Sequence, residues 1–141
     1  MNVQTNRTDH RPLRSWSGPR GKWLRFVLLE HLPERRPSHF DLMLEFSHTR
    51  SLWDLETPEN PVALRSQIRW ATHGFHRRRY LRFEGDIGHG RGVVRRIDSG
   101  RYCVTASAGC LVIQLRGRRW KGTYFIWRQD RGQHIWTAVA E

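Results

Sequence analysis

The sequence predicts an all-β domain, a compact closed or nearly closed barrel of about eight to nine short strands. Three observations predict it. Apolar-alternating segments of five to nine residues recur at near-regular spacing. Proline, glycine and aspartate turn signals separate them. Apolar residues almost never recur at the 3.6-residue spacing of a helix.

The elements follow in order. Residues 1–21 hold Arg7, Arg11, Arg14, Arg20 and the break "SGPRG", and read as a flexible basic N-terminal arm. Residues 22–141 form the barrel domain. "KWLRFVLLE" is its first strand, ended by the proline-bounded loop "HLPERRPS". "HFDLMLEF" is the second, and "SLWDLET" the third, stopped by "PENP". Pro61 to Gln67 has room for one helical turn. "IRWATHGF" and "YLRFEG" read as strands flanking the basic loop "HRRR". "GDIGHGRG" is glycine-rich but matches no phosphate-loop spacing, so it reads as a turn region. "RGVVRRID" leads to a turn at "SG", then "RYCVTAS" and "CLVIQLRG", joined through Ala108 and Gly109. "GTYFIWRQ" and "HIWTAVA", split by "DRGQ", close the chain.

The 141 residues suit one domain with a real core. The net charge is +12, and Lys22 and Lys121 are the only lysines, so the charge is almost all arginine. A guanidinium grips phosphate with a planar fork, and a basic domain of this size attracts polyanions, nucleic acid first among them. The plainer alternative is a solvated charged surface. No run of 18 apolar residues exists, and the start lacks the apolar centre of a signal peptide, so no membrane is expected. Cys103 and Cys110 are too few for a disulfide framework and read as reduced thiols of a cytoplasmic protein.

One constellation could carry chemistry. In a strand, residues two apart share a face, so His39, Asp41, Met43 and Glu45 face one way and Phe40, Leu42 and Leu44 the other. If the first two strands pair through their loop, His31 lands near His39. Two imidazoles and a carboxylate then suit Mn²⁺, Fe²⁺ or Zn²⁺, with positions open for water or substrate. The competing reading is a polar, solvated strand face. His73 and His76, beside Arg77, Arg78 and Arg79, form a second cluster or a solvated loop.

These motifs, in this order, resemble a known family. A strand ending in histidine is followed by "HFDLMLE", "LWDLETPENP", "HRRRYLRFEGDIGHGRGVV" and "LVIQLRGRRWKGTYFIWR". The order is similar to that of the 3′-phosphoesterase domain of bacterial DNA ligase D and its stand-alone relatives. That family has K-H, L-H-Y-D-F-R-L-E, S-W-A-V-P-K-G-P, H-P-L-x-Y-x-x-F-E-G-x-I-P and L-x-G-x-x-L-x-G-x-W/F. The resemblance spans roughly Trp23 to Ala140. It implies a compact β-barrel and Mn²⁺-dependent removal of a terminal ribonucleotide or 3′-phosphate from DNA ends. It implies His31, His39 and Asp41 as metal ligands, and His76 and Tyr80 as the groups at the phosphate. Arg69 stands near the family's arginine before that histidine. Arg69 and Arg77 are the candidates to hold the substrate phosphate. The expected partners are DNA or RNA–DNA 3′ ends, with a ligase or polymerase acting in trans.

The departures are specific. Met43 stands where the family has a phosphate-holding arginine. The lysine of S-W-A-V-P-K falls near Thr57, and the loop from His31 to His39 is about two residues longer here. Two further functions stay open. One is a non-catalytic nucleic-acid-binding barrel serving DNA end joining. The other is a small Fe²⁺ oxygenase with His134 as the distant ligand.

Overall fold

The computed structural model describes residues 11–12, 18–46, 51–63, 66–107, 110–129 and 132–139. Its strands are β1 (Arg11–Pro12), β2 (Leu24–Leu32), β3 (His39–Glu45), β4 (Ser51–Thr57), β5 (Gln67–Arg77), β6 (Gly85–Asp86), β7 (Val93–Ser107), β8 (Cys110–Gly117), β9 (Lys121–Gln129) and β10 (Gln133–Ala138). A 3₁₀ turn, Arg78–Leu81, follows β5.

Eight of the strands close on themselves through antiparallel pairs, in the order β2-β3-β4-β5-β10-β9-β8-β7 and back to β2. Closure leaves none of the eight with an open edge. β1 adds to β9, and β6 adds to β7, outside the ring. The all-β barrel expectation holds. Most of the arm expected at residues 1–21 lies outside the described residues. Within it, Arg11–Pro12 pairs with β9, and the Gly21 amide donates to the Val104 carbonyl.

The alternation of β2, β3, β5, β8 and β9 sends one set of side chains inward. Phe26, Leu28, Phe40, Leu42, Leu44, Trp70, Tyr102, Ile113, Trp120, Tyr124 and Trp136 share this interior cluster. Trp70 and Trp136 lie with ring centroids 5.1 Å apart. Two of the buried aromatics are satisfied locally: Tyr102 Oη donates to the Glu45 carbonyl at 2.6 Å, and Trp120 Nε1 to Tyr124 Oη at 3.0 Å. Buried Asp98 accepts from the amides of Arg118, Arg119 and Trp120 and so ties the β8–β9 turn to β7.

A second, smaller cluster lies on the outside of the wall. Val27, Leu29, Met43, Leu52 and Val94 are buried there beneath Tyr80, Leu81, Phe83 and Ile87. The segment from the 3₁₀ turn to β6 therefore covers the outer face of β2, β3 and β4. This explains why all seven residues of β3 are buried, where a solvated outer face was the plainer expectation.

Two sequence expectations change. "YLRFEG" is not a strand: its aromatic residues pack as a cover, and only Gly85–Asp86 pairs. "SG" is not a turn: Ser99 and Gly100 lie inside the fifteen-residue β7, which runs past both β2 and β8. A Cβ on Gly100 would meet the Arg116 carbonyl oxygen at 2.1 Å, so the glycine serves close backbone approach, not reversal. Around Pro61, the Ala63 amide donates to the Asn60 carbonyl in a simple turn; residues 64–65 lie outside the described residues.

Candidate functional site

The outer face of β2, β3 and β4 gathers the polar residues. The register sets His31 opposite His39, Leu29 opposite Asp41, and Val27 opposite Met43. Across the next pair, Asp41 opposes Glu56 and Met43 opposes Asp54. Strict alternation therefore puts His31, His39, Asp41, Met43, Asp54 and Glu56 on one surface.

His76 reaches that surface through a bulge. Leu55 pairs with Thr72 but Trp53 with Phe75, so β5 carries one extra residue there. Gly74, at φ +83, takes the strained position. A regular ladder would set Phe75 opposite Leu52; the bulge sets His76 there instead. A one-residue slip exchanges the faces of a strand, so Gly74 decides which side chain faces the site.

These residues line a cleft of about 200 Å³, together with Arg36, Tyr80, Ile87 and Val94. His31 Nδ1 lies 3.1 Å from His39 Nε2. Asp41 Oδ2 lies 3.3 Å from His39 Nε2 and 3.7 Å from His31 Nδ1. The far nitrogens are oriented by backbone. His31 Nε2–H donates to the Arg91 carbonyl at 2.9 Å, and His39 Nδ1–H points at the Pro37 carbonyl at 3.5 Å. That arrangement turns the lone pairs of His31 Nδ1 and His39 Nε2 toward Asp41. The glycine-rich turn delivers the Arg91 carbonyl: Gly88, Gly90 and Gly92 all have positive φ, and the Arg91 amide donates to the Gly88 carbonyl.

Three electron-pair donors thus converge on one point, and all lie within 4.8 Å of one another. Ligand atoms at about 2.1 Å from a divalent ion stand roughly 3.0–3.5 Å apart in octahedral or tetrahedral geometry. The observed separations fit that chemistry, so His31, His39 and Asp41 are residues that could hold such an ion. Glu56 Oε1, 3.2 Å from His39 Nε2, is a fourth donor atom in reach, and Arg36 approaches Glu56 Oε2 at 3.5 Å.

The titration of the cleft follows from its carboxylates. Burial acts to lower the His39 pKa, but the hydrogen bond to Asp41 and the charges of Asp41 and Glu56 outweigh it, and the net shift is upward. His76 Nε2–H donates to Asp54 Oδ2 at 2.9 Å, which raises the His76 pKa. Asp54 is only 3% exposed, and burial pushes its carboxyl up to about 6, against the hydrogen bond from His76.

The expected residues divide clearly. His31, His39, Asp41, His76 and Tyr80 come together in the cleft. Tyr80 stands edge-on to His76, ring centroids 5.8 Å apart. Arg69 and Arg77 do not line it. Arg69 pairs with Ile135 of β10, and Arg77, one residue on from His76, falls on the opposite parity. Thr57 opposes core residue Phe40 and is likewise outside the cleft. His134 is buried on β10 against Trp53, away from the triad. The side chain of His73 lies outside those described. Sequence reasoning missed Asp54, Glu56 and Arg36. The alternation of "WDLE" does put both acids on one face, and that was the available signal.

The structure is thus a closed β-barrel with a His/His/Asp cluster on its outer wall and a histidine–carboxylate pair beside it. The chain belongs to the DNA ligase D 3′-phosphoesterase domain family, whose model matches residues 30–128. That span contains every residue lining the cleft. No curated protein matches the chain.

Proposed function

We propose that the protein is a divalent-metal-dependent phosphoesterase, with Mn²⁺ as the favoured ion, that removes a 3′-phosphate or 3′-terminal ribonucleotide from DNA ends. The observation that supports it most is the convergence of His31 Nδ1, His39 Nε2 and Asp41 Oδ2 within one small cleft. When bound, the ion would polarise a phosphate oxygen and lower the pKa of an attached water. The other steps belong to the chain's own groups. Asp54 holds Nε2 of His76, leaving the imidazolium Nδ1 to hydrogen-bond a phosphate or leaving-group oxygen and give up a proton. Tyr80 donates from its hydroxyl on the same side. Arg36 is the arginine lining the cleft, and it steers the anion.

The direct assay uses a primer–template with a 3′-phosphate or a single 3′-ribonucleotide. Product should form with Mn²⁺, cease with EDTA and fall at least about 10³-fold in His39→Ala. No product at high enzyme, or equal turnover in His39→Ala, refutes the reading.

Met43 favours a second reading. It places a thioether where the family has an arginine, so the protein could bind DNA ends without cleaving them, as an end-joining accessory. End binding that persists unchanged in EDTA, with no product under any metal, would select it.

A further inference from the structure

Outside the cleft lies an open groove of about 450 Å³ lined by Arg25, Arg78, Arg79, Leu81 and Arg82. We propose that this groove is a binding site for the sugar–phosphate backbone of the strand whose 3′ end occupies the cleft. The proposal rests on the DNA-end reading above and adds where the rest of the strand lies.

Two of its arginines are pre-oriented. Arg25 meets the Glu45 carboxylate through Nε at 3.2 Å and Nη2 at 2.7 Å, and Arg78 Nη2 joins the same oxygen. Glu45 is 7% exposed, whereas the Arg25 and Arg78 side chains are 36% and 44% exposed. One buried anion thus fixes two cations whose outer faces remain at the surface. A fixed guanidinium loses less freedom on meeting phosphate than a mobile one.

Arg79 is fixed differently. Its guanidinium lies 5.5 Å from the Tyr80 centroid and 4.7 Å from that of Phe83. The same Tyr80 ring meets His76 of the cleft, so one aromatic touches residues of both sites. Four arginines against one glutamate leave the groove strongly positive, matched to an extended polyanion rather than to one terminal phosphate. None of these contacts involves His31, His39 or Asp41, so strand binding can be measured apart from any metal.

The test measures binding rather than turnover. A 5′-fluorescein-labelled twelve-nucleotide single strand with an ordinary 3′-hydroxyl is titrated by anisotropy, in EDTA, from 50 to 300 mM salt. Arg79→Gln/Arg82→Gln should weaken binding about tenfold near 0.1 M salt and lower the salt slope by about 1.4, roughly 0.7 per lost phosphate contact. Arg118→Gln, on the exposed β8–β9 turn and outside the groove, should change the slope little. An unchanged slope in the double variant, or an equal loss in Arg118→Gln, overturns the proposal. Because the assay needs no metal and no product, a failed groove and a failed phosphoesterase reading give different results. Active wild type with an unchanged double-variant slope removes only the groove.

Discussion

His31 and His39 face each other across β2 and β3, Nδ1 to Nε2 at 3.1 Å, each with its other ring nitrogen directed at a backbone carbonyl. While both rings are neutral, neither nitrogen can serve as donor to the other with those carbonyls engaged. The pair could share a cation, and Asp41 supplies a negative charge that would favour one.

On the phosphoesterase reading, Met43 limits how firmly the cleft holds phosphate. It is 4% exposed, packs with Val27, Leu29, Leu52 and Val94, and directly opposes Asp54. Met43→Arg should lower KM for a 3′-phosphate substrate, or raise kcat/KM by about 10–100-fold, through a charge-assisted contact. It should also destabilise the fold by about 1–3 kcal/mol, because a longer, charged side chain enters a packed cluster. Steady-state kinetics and a thermal melt on the same preparation check both.

Glu45 links the barrel to the 3₁₀ turn electrostatically. Hydrogen bonds from Arg25 hold its pKa below the usual carboxylate value against the opposing effect of burial, with further help from the Arg25 amide and the charge of Arg78. A depressed folded-state pKa means that the folded protein binds fewer protons than the unfolded chain. The stabilisation is present above the unfolded pKa, about 4.3, and is lost as pH falls through the folded one. Glu45→Gln should cost about 1–2 kcal/mol at pH 7, discounted because both arginines are partly solvated. Melting curves of wild type and variant should converge below about pH 4.

Gly100 tests the fold. Its Cβ position lies 2.1 Å from the Arg116 carbonyl oxygen and 2.6 Å from the Gly117 Cα, both backbone atoms that cannot swing aside. Gly100→Ala should therefore destabilise by several kcal/mol, read as loss of cooperative unfolding or of soluble protein. Gly21→Ala, where a Cβ meets nothing within 4 Å, should cost much less despite its positive φ of +66.

Much of this was legible in the residues because strand alternation is a local rule. "HFDLMLE" announced both its core face and its ligand face, and the pairing with the preceding strand placed His31 opposite His39. What escaped is non-local. Nothing in the alternation of β3 says that residues 80–87 fold back over its outer side and bury Met43. "SG" carries the chemistry of a turn, and only the approach of β8 shows that it is a crossing point. The bulge at Gly74 was signalled by a glycine inside a strand pattern. Its effect, which sets Arg77 away from the cleft and His76 in it, depends on the register with β4.

The most direct measurement of the central claim is a Mn²⁺ titration of the metal-free protein, followed by the electron paramagnetic resonance signal of the free ion. The account predicts a bound ion in the wild type that disappears in His39→Ala and in Asp41→Asn, while Glu45→Gln keeps it. Wild type that leaves all Mn²⁺ free, or triad variants that bind it as well as wild type, would contradict the account.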